Sequence, residues 1–454
     1  MILRRIVLFI IIFLGMGIGN SFSQTQIVLN LEQSIKIALQ HNKTLAASAE
    51  KLKEAKARLG EARTGFLPKL KGTANYTKLD VAPFMPGKVF GNAMPSIPGM
   101  PQMNLPKRIT IGRDEMVGIG VQLQQPIFTG FSILNGFRMA KDGIKATEAE
   151  YSKNKDDLIF NVQKAYWGVV KAQKFVEVAR EAVKQVEGHV KDLENMYNVG
   201  MVTKNDLLKA KVQLSNAKLG LIQAKNGLEL AKKSFCNILG IPLDTDVKLT
   251  EELSYKPSVN ISLSDAVSQA LLQRPEISML KAGISIGKRT VNIASAGYLP
   301  NFTLVLDYGY KKPNREYNME FYTTWTVSLV ASMNLFDWGR THYKRTQAQH
   351  QLLQMKENFE NAKNGIRLEV TQAVLMEKTA EQKIRVAEEN VKQAEENFRV
   401  TADLFQQGMA TNTDYLDANT LLVKAKTDYI SALIDYKLAE AQLKRAMGII
   451  GKGE

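Results

Sequence analysis

Cysteine and histidine are scarce in this chain of 454 residues, which has one cysteine, Cys236, and four histidines. A single cysteine excludes an internal disulfide framework. His41, His189, His342 and His350 are scattered along the chain without metal-ligand spacing. The sequence contains no phosphate-binding loop, nucleophile elbow or Cys–His arrangement. We therefore predict that the protein is not an enzyme and that it carries neither a metal site nor a cofactor.

Long apolar runs are missing beyond the N-terminus. Residues 1–23 combine two arginines, an apolar core from Ile6 to Ile18 and small residues at the end, which is the layout of a cleavable secretory signal. The alternative, an uncleaved membrane anchor, requires a longer apolar core. No later run suits a transmembrane helix, so we predict that any membrane crossing is made by a β-barrel.

Acidic residues are outnumbered by basic ones, 45 to 60, and the formal net charge is +15. A basic surplus is compatible with nucleic-acid binding, but a secreted chain meets mostly anionic lipid, cell wall and solutes. The lysines are interspersed with glutamates along predicted helical faces, which indicates a solvated surface. We therefore predict no nucleic-acid partner.

The chain contains an internal repeat, which indicates two copies of one structural unit. The matching segments are Leu31–Leu39 with Leu263–Leu271, Gly65–Pro68 with Gly297–Pro300, and Gly200–Asp206 with Gly408–Asp414. The first repeat is predicted at 24–240 and the second at 263–454, with a linker at 241–262. Each repeat is predicted to contain a helix, two strands, a very long helix, a tight turn and a last helix.

The long helix of each repeat carries apolar residues at alternating spacings of three and four. This seam extends from Val176 to Tyr197 in the first repeat and from Ile384 to Phe405 in the second. Such spacing predicts coiled-coil packing against a neighbouring helix. A helix from about Ile133 to Tyr197 is roughly 100 Å long at 1.5 Å per residue. A fibrous coiled coil would explain the helices, but it would explain neither the secretion signal nor the strands.

Four segments alternate apolar residues with small or polar ones, near 68–79, 116–128, 300–311 and 321–336. Segments of about ten residues with this alternation suit the wall of a membrane barrel. A half-buried soluble sheet has the same period. The smallest membrane barrels have about eight strands, and an open sheet edge is costly in lipid. We therefore predict a mixed α/β membrane protein whose barrel is shared by two, three or four copies.

Proline and methionine cluster between residues 80 and 115, and this composition indicates an irregular surface loop. Met85, Met94, Met100 and Met103 are compatible with a soft metal such as Cu(I). The favoured interpretation is a flexible lid or an apolar plug over the mouth of the barrel.

A Gly-x-x-Thr-x-x-Asp turn follows each long helix, at Gly200–Asp206 and at Gly408–Asp414. Glycine can adopt the left-handed conformation that ends a helix. Thr203 and Thr411 are predicted to cap the next helices, and the aspartate three residues later completes a capping box. Asp417 lies on the same helical face as the second capping aspartate and has no capping role of its own.

The duplicated halves, the paired Gly-aromatic-Leu-Pro segments and the two turns together resemble the outer-membrane efflux protein family typified by TolC. The resemblance covers essentially the whole chain after the signal. It implies a homotrimer whose protomers contribute four strands each to a twelve-stranded barrel in the outer membrane. The barrel continues as an α-helical tunnel in the periplasm. A periplasmic adaptor docks on the turns and links the duct to an inner-membrane pump.

The same resemblance assigns roles to residues of the turns. It implies adaptor contacts at Gly200, Thr203, Gly408 and Thr411. Asp414 and Asp417 match an acidic pair that lines the narrow tip, and in a trimer they would form rings of six carboxylates. Crowded like charges attract cations and raise some carboxylate pKa values.

The chain departs from the family pattern at the latch that closes the tip. Phe405 stands where a typical member has a latch tyrosine, and Ala410 stands where it has a basic residue. Asp206, the usual partner of these two, is present. We therefore expect the closed tip to depend on packing, or on Lys209, which occupies the position of Asp417 in the other repeat.

The resemblance implies an exit duct for small molecules such as drugs and toxic compounds, or for type I secretion. The alternative is a periplasmic adaptor or helical scaffold without a pore, which also has long hairpins and a secretion signal. The doubled strand pairs count against this alternative, because adaptors carry lipoyl-like and small barrel domains around a single hairpin.

Overall fold

The computed structural model describes residues 27–87, 89, 106–251, 253–257 and 261–451. The predicted signal peptide lies outside these residues, as do Met94, Met100 and Met103 of the loop rich in proline and methionine. No helix in the described part of the chain is both long enough and apolar enough to cross a membrane.

The described residues form long antiparallel helices and one larger sheet. The helices are α1 (Leu31–His41), α2 (Lys43–Thr64), α3 (Ser132–Asn198), α4 (Lys204–Leu239), α5 (Leu263–Gln273), α6 (Pro275–Ser295), α7 (Arg340–Gln406) and α8 (Asn412–Ala446). The strands are β1 (Ile27–Leu29), β2 (Lys69–Lys78), β3 (Phe84–Pro86), β4 (Arg108–Thr110), β5 (Glu115–Thr129), β6 (Val247–Leu249), β7 (Asn301–Lys312) and β8 (Tyr322–Ser332). Helices α3 and α7 each contain 67 residues, which corresponds to about 100 Å.

Each repeat begins with two helices, where the sequence predicts one. Asn42 separates α1 from α2: its backbone N–H donates to Ala38 at the end of α1, and its side chain caps the start of α2. In the second repeat Pro275 is the first residue of α6, and Arg274 before it is extended. Proline lacks an N–H and disfavours helical geometry in the preceding residue, so α5 ends there.

The last helix of each repeat ends beside the point where the repeat's first helix stops and its second helix begins. Gly240 and Gly448 follow α4 and α8 with φ angles of 75° and 73°, a conformation that favours glycine. A Cβ on Gly240 would lie 2.5 Å from the His41 carbonyl oxygen, and one on Gly448 would lie 3.0 Å from the Arg274 backbone nitrogen. In both repeats, therefore, only glycine lets the end of the last helix approach the backbone between the first two helices so closely.

Two hairpins extend away from this junction: the first hairpin consists of α3 and α4, and the second of α7 and α8. The predicted seam is buried at Val186, Val190 and Leu193 of the first hairpin. The prediction is wrong at Tyr197, which is 40% exposed because it lies at the end of α3, where the hairpin turns. Arg445 of α8 binds Asp157 of α3 at 2.7 Å and so joins the two hairpins near the junction.

The larger sheet is antiparallel in the order β2-β5-β7-β8, so the strand pairs of the two repeats meet at β5 and β7. The register aligns four apolar side chains in one row across the sheet: Leu70, Leu123, Leu306 and Val327. The adjacent row, on the opposite face, is polar: Lys71, Gln122, Asp307 and Thr326. Gln122 donates to Asp307 within this row, at 2.9 Å. The sheet thus has one apolar and one mainly polar face.

The final strand is shorter than predicted. β8 ends at Ser332 rather than Phe336. Leu335, Phe336 and Trp338 follow it as largely exposed side chains, and Gly339 with a φ angle of 79° precedes α7. The alternation of apolar residues continues past the last paired residue, and this explains the longer prediction.

Gly240→Ala should lower the thermal unfolding midpoint of the detergent-solubilised protein, because the new Cβ meets the His41 carbonyl and a non-glycine residue is strained at this φ. The expected cost is about 1–3 kcal/mol. Gly227→Ala is the matched control within α4, since a Cβ there meets nothing within 4 Å. Equal midpoints for the two variants would contradict the role of Gly240.

Candidate functional site at the tips of the helical hairpins

The two hairpin turns have the same backbone geometry. Gly200 and Gly408 have φ angles of 77° and 74°. The N–H groups of Met201 and Met409 donate to carbonyls in the last turns of α3 and α7, both at 2.9 Å. A Cβ on either glycine would meet nothing within 4 Å. The left-handed conformation alone therefore explains the glycine at each turn.

The predicted capping boxes are confirmed at the start of α4 and of α8. The hydroxyls of Thr203 and Thr411 lie 2.6 Å from the carboxylates of Asp206 and Asp414. Hydrogen bonds from the side chain and the backbone of Thr411 lower the pKa of Asp414. This effect within one chain opposes the increase expected from crowded carboxylates in a trimer, which stays a prediction.

Asp414 and Asp417 are exposed near the start of α8, and Lys209 is exposed on α4. Within the part of a single chain that the structure describes, Lys209 forms no ion pair with a carboxylate. The carboxylate of Asp206 binds Thr203 and is therefore engaged in the cap. The pairing of Lys209 with an acidic ring stays a prediction about the assembled protein.

A buried aromatic cluster lies behind the turns. Phe405 is buried against Val190 and Leu193 of the first hairpin. His189 of α3 is only 3% exposed, and its ring lies 4.8 Å from that of Phe405. The same imidazole stacks on Tyr415 of α8, with centroids 3.8 Å apart and an interplanar angle of 9°. Phe405 is therefore packed within the protomer, and its role in closing the tip stays a prediction.

A chain of hydrogen bonds crosses the same cluster. His189 Nε2 lies 2.8 Å from Oδ1 of the buried Asn412, at the start of α8. The Asn412 amide donates to the backbone carbonyl of Asp206 on α4, at 3.0 Å. These contacts connect the second hairpin to both helices of the first.

Two further polar contacts between α3 and α8 follow along the hairpins. Asn419 donates to Gln185 at 2.7 Å, and Lys426 binds Glu181 at 3.1 Å. The contacts on α8 are spaced by seven residues and those on α3 by four. We refer to the three pairs as the cross-hairpin contacts: His189–Asn412, Gln185–Asn419 and Glu181–Lys426.

The sequence analysis missed His189, Asn412 and Tyr415. One signal was available for His189, because it lies three residues after the seam residue Val186 and so falls on the buried face of α3. Asn412 and Tyr415 carry no comparable signal. The residues that they contact on the first hairpin lie more than two hundred residues away in the chain, and no local spacing predicts such a contact.

Long capped hairpins joined to a sheet with one apolar face define a protomer of an outer-membrane exit channel for efflux or secretion. The family model "Outer membrane efflux protein" matches residues 34–240 and 266–449, so both repeats are covered. The chain belongs to the outer membrane efflux protein family. This result confirms the predicted family, outer-membrane location and channel function, and it gives no support to the adaptor alternative.

Individual relatives are distant. The chain is 23% identical over 371 residues to outer membrane protein TolC of Vibrio cholerae, which covers 78% of this chain and 83% of that protein. It is 23% identical over 338 residues to the alkaline protease secretion protein AprF of Pseudomonas aeruginosa, covering 74% and 70%. The crystal structure of the CmeC outer membrane channel of Campylobacter jejuni has a TM-score of 0.77 at 20% identity, covering 92% and 86%.

Thr411→Ala should accelerate hydrogen exchange in the first turn of α8, because the Asp414 N–H loses its acceptor at 3.1 Å. The loss of an N-cap costs about 1 kcal/mol. Thr420→Ala is the control in the same helix, since the Thr420 hydroxyl binds only the Leu416 carbonyl of its own helix. Unchanged exchange in Thr411→Ala would show that the cap contributes nothing to the turn.

Proposed function

We propose that three copies of this chain share one closed barrel and form a duct for the export of small molecules, coupled through a periplasmic adaptor to an inner-membrane pump. The observation that carries the proposal is the four-stranded sheet with two open edges. β2 and β8 each pair with one strand only among the described residues. Pairing of β8 with β2 of the next copy would satisfy both edges, as lipid requires.

The faces of the sheet agree with this closure. The row of Leu70, Leu123, Leu306 and Val327 would face lipid. Trp325, on the same face of β8, is 71% exposed in the single chain. The row of Lys71, Gln122, Asp307 and Thr326 would line a polar lumen, as in water-filled barrels.

The helices also carry apolar stripes that one chain leaves uncovered. Leu208, Val212, Leu219, Ile222 and Leu230 are exposed along one face of α4. Leu353, Leu368, Leu375, Val386 and Val400 are exposed along one face of α7. Exposed apolar patches on this scale mark interaction surfaces. We propose that α4 of one copy packs on α7 of the next, which extends the shared barrel into a shared tunnel.

The tip would control passage and docking. Three copies of the exposed Asp414 and Asp417 would form carboxylate rings at the narrow end, and such rings favour cations. The two turns at Gly200–Thr203 and Gly408–Thr411 are exposed and would present paired surfaces to an adaptor. Catalysis has no part in this proposal, because transport needs only a path and a gate.

Protein secretion is a second candidate, favoured by one observation. One of the relatives, AprF, is described as an alkaline protease secretion protein. Both cargoes would use the same duct, so the pump decides between them. Deletion of the gene, followed by assays of susceptibility to toxic compounds and of secreted protein, would separate the two. Increased susceptibility with normal secretion would favour small molecules.

Ile222→Glu should reduce the fraction of trimer, because it places a carboxylate in the proposed contact between α4 and α7. The loss of one buried isoleucine corresponds to roughly 1.5–3 kcal/mol per contact. The mass of the detergent-solubilised particle reports the change. Lys225→Glu adds the same side chain to α4 away from the stripe and should leave the trimer intact. Equal trimer fractions in the two variants would exclude α4 from the interface.

The purified protein should produce discrete, cation-selective conductance steps in a planar bilayer. Asp414→Asn combined with Asp417→Asn should weaken the cation preference, since both rings lose their charge. Asp244→Asn, in the linker between the repeats, is the control and should change nothing. A protein that is monodisperse without detergent and gives no current would contradict the duct and support the adaptor alternative. An unchanged preference in the double variant would remove both residues from the lumen.

A further inference from the structure

The hydrogen-bond partners of His189 show which of its two ring nitrogens carries a proton. The Asp206 carbonyl can only accept, so the Asn412 amide nitrogen must face it. The Asn412 oxygen then faces His189, and an oxygen without a proton can only accept. His189 Nε2 is therefore the donor across the 2.8 Å contact. A neutral imidazole that donates from Nε2 carries no proton on Nδ1.

We propose that this hydrogen-bond chain ties the second hairpin to the first at the tip, and that the tie weakens when His189 takes up a second proton. His189 is thus a positioning residue of the gate. The inference deepens the proposed function, on which it rests. Phe405 and Ala410 are the positions at which this chain departs from the family's latch, and neither side chain contributes a hydrogen bond to this contact.

A second proton would place a cation in an environment that is largely apolar. Besides the rings of Phe405 and Tyr415, the buried cluster around the site contains Val186, Val190 and Leu193. Transfer of a charge from water into such surroundings is unfavourable unless it is paired. The geometry therefore favours the neutral imidazole while the hairpins are together, and it favours the cation once they separate and water enters.

The groups that face His189 come from four helices. Asp192 of α3 is the carboxylate whose charge acts on it, and α8 contributes Asn412 and the phenol of Tyr415. α7 contributes Phe405, which does not titrate. α4 contributes the backbone carbonyl of Asp206. Burial lowers the pKa of His189, and this effect outweighs the opposing effects of the Asn412 hydrogen bond and the Asp192 charge.

The direction of the pH effect follows from linkage. Because burial lowers the pKa, the tied state binds a proton less readily than the untied state. The tie is complete above the ordinary histidine pKa of 6.5. It weakens as the pH falls from there towards the lowered pKa of the buried ring. Each unit of lowering permits a change of at most about tenfold in the ratio of tied to untied protomers.

The other cross-hairpin contacts do not share this response. Gln185 and Asn419 do not titrate, and the contact between Glu181 and Lys426 is an ion pair without an imidazole. Protonation therefore acts at the tip and leaves the hairpins joined further along. This limits the expected movement to the end of the duct.

Spin labels at Met201→Cys and Met409→Cys would measure the distance between the two turns. Both positions are exposed, at 72% and 64%. Cys236, the one native cysteine, is replaced in a Cys236→Ala background. Distances are measured in trimers diluted with unlabelled chain, at about pH 7.5 and about pH 5.5, on either side of the ordinary histidine pKa.

We expect one short distance at neutral pH and a longer, broader distribution in acid. His189→Gln keeps a donor without titrating, so its label-to-label distance should stay short at both pH values. Asn412→Ala removes the tie, so its label-to-label distance should be long at both pH values. His350→Gln, an exposed site elsewhere on α7, should behave like the parent.

The proposal would be overturned if the distance lengthens in acid in His189→Gln as it does in the parent. It would also be overturned if the distance stays short at neutral pH in Asn412→Ala. If His189→Gln does not assemble, His189→Phe keeps a ring between Phe405 and Tyr415 without titrating, and the same criterion applies to it.

Conductance of the same variants separates this inference from the proposed function. The tie and the duct are both supported if the current rises in acid together with the distance and is insensitive to pH in His189→Gln. A distance that responds to pH in protein that carries no current would contradict the duct and support the tie. Current that responds to acid without a change in distance would contradict the tie and support the duct.

Discussion

Backbone N–H and C=O groups along the outer edges of β2 and β8 find no strand partner within the described part of one chain. Lipid supplies no hydrogen bonds, and in the proposed assembly another copy closes these edges. Each copy would contribute the four strands of its sheet to the shared barrel and its two hairpins to the shared tunnel. Its sheet has an uncovered apolar face, and its helices have uncovered apolar stripes. The proposed duct would cover both.

The duplication gives the protomer two similar hairpins, and the contact between them is not symmetric. His189 and Asn412 connect the hairpins across a distance of 2.8 Å. The residues at the equivalent positions of the other repeat are Asn397 and Lys204, which cannot form the same pair. Each hairpin can therefore keep a nearly identical turn and cap, while the tie that joins them is formed by residues that have diverged.

Much of the protein could be predicted because its interactions are local. The left-handed turn at Gly200 and the cap at Thr203 depend on partners within a few residues. The seam around Val190 packs against other helices, but its spacing of three and four residues is a local pattern that helical geometry imposes. The alternation in the strands gives the faces of the sheet in the same way. Local patterns were misleading at the ends of elements. The apolar alternation continues past Ser332, where the strand ends. The sequence predicts one helix through Asn42 and one through Arg274, but the structure has a helix end at each position.

The sequence by itself determined the duplication, the long helices, the strands, the capped turns and the family. Only the tertiary structure decided which residues join the hairpins. Asn412 meets His189 and Asp206 because α8 packs along α3 and α4 in one particular register, and no spacing within the chain encodes that register. The histidine at position 189 was visible as one of four scattered residues. Its burial against Tyr415, together with its single oxygen partner, turned it into a candidate gate residue.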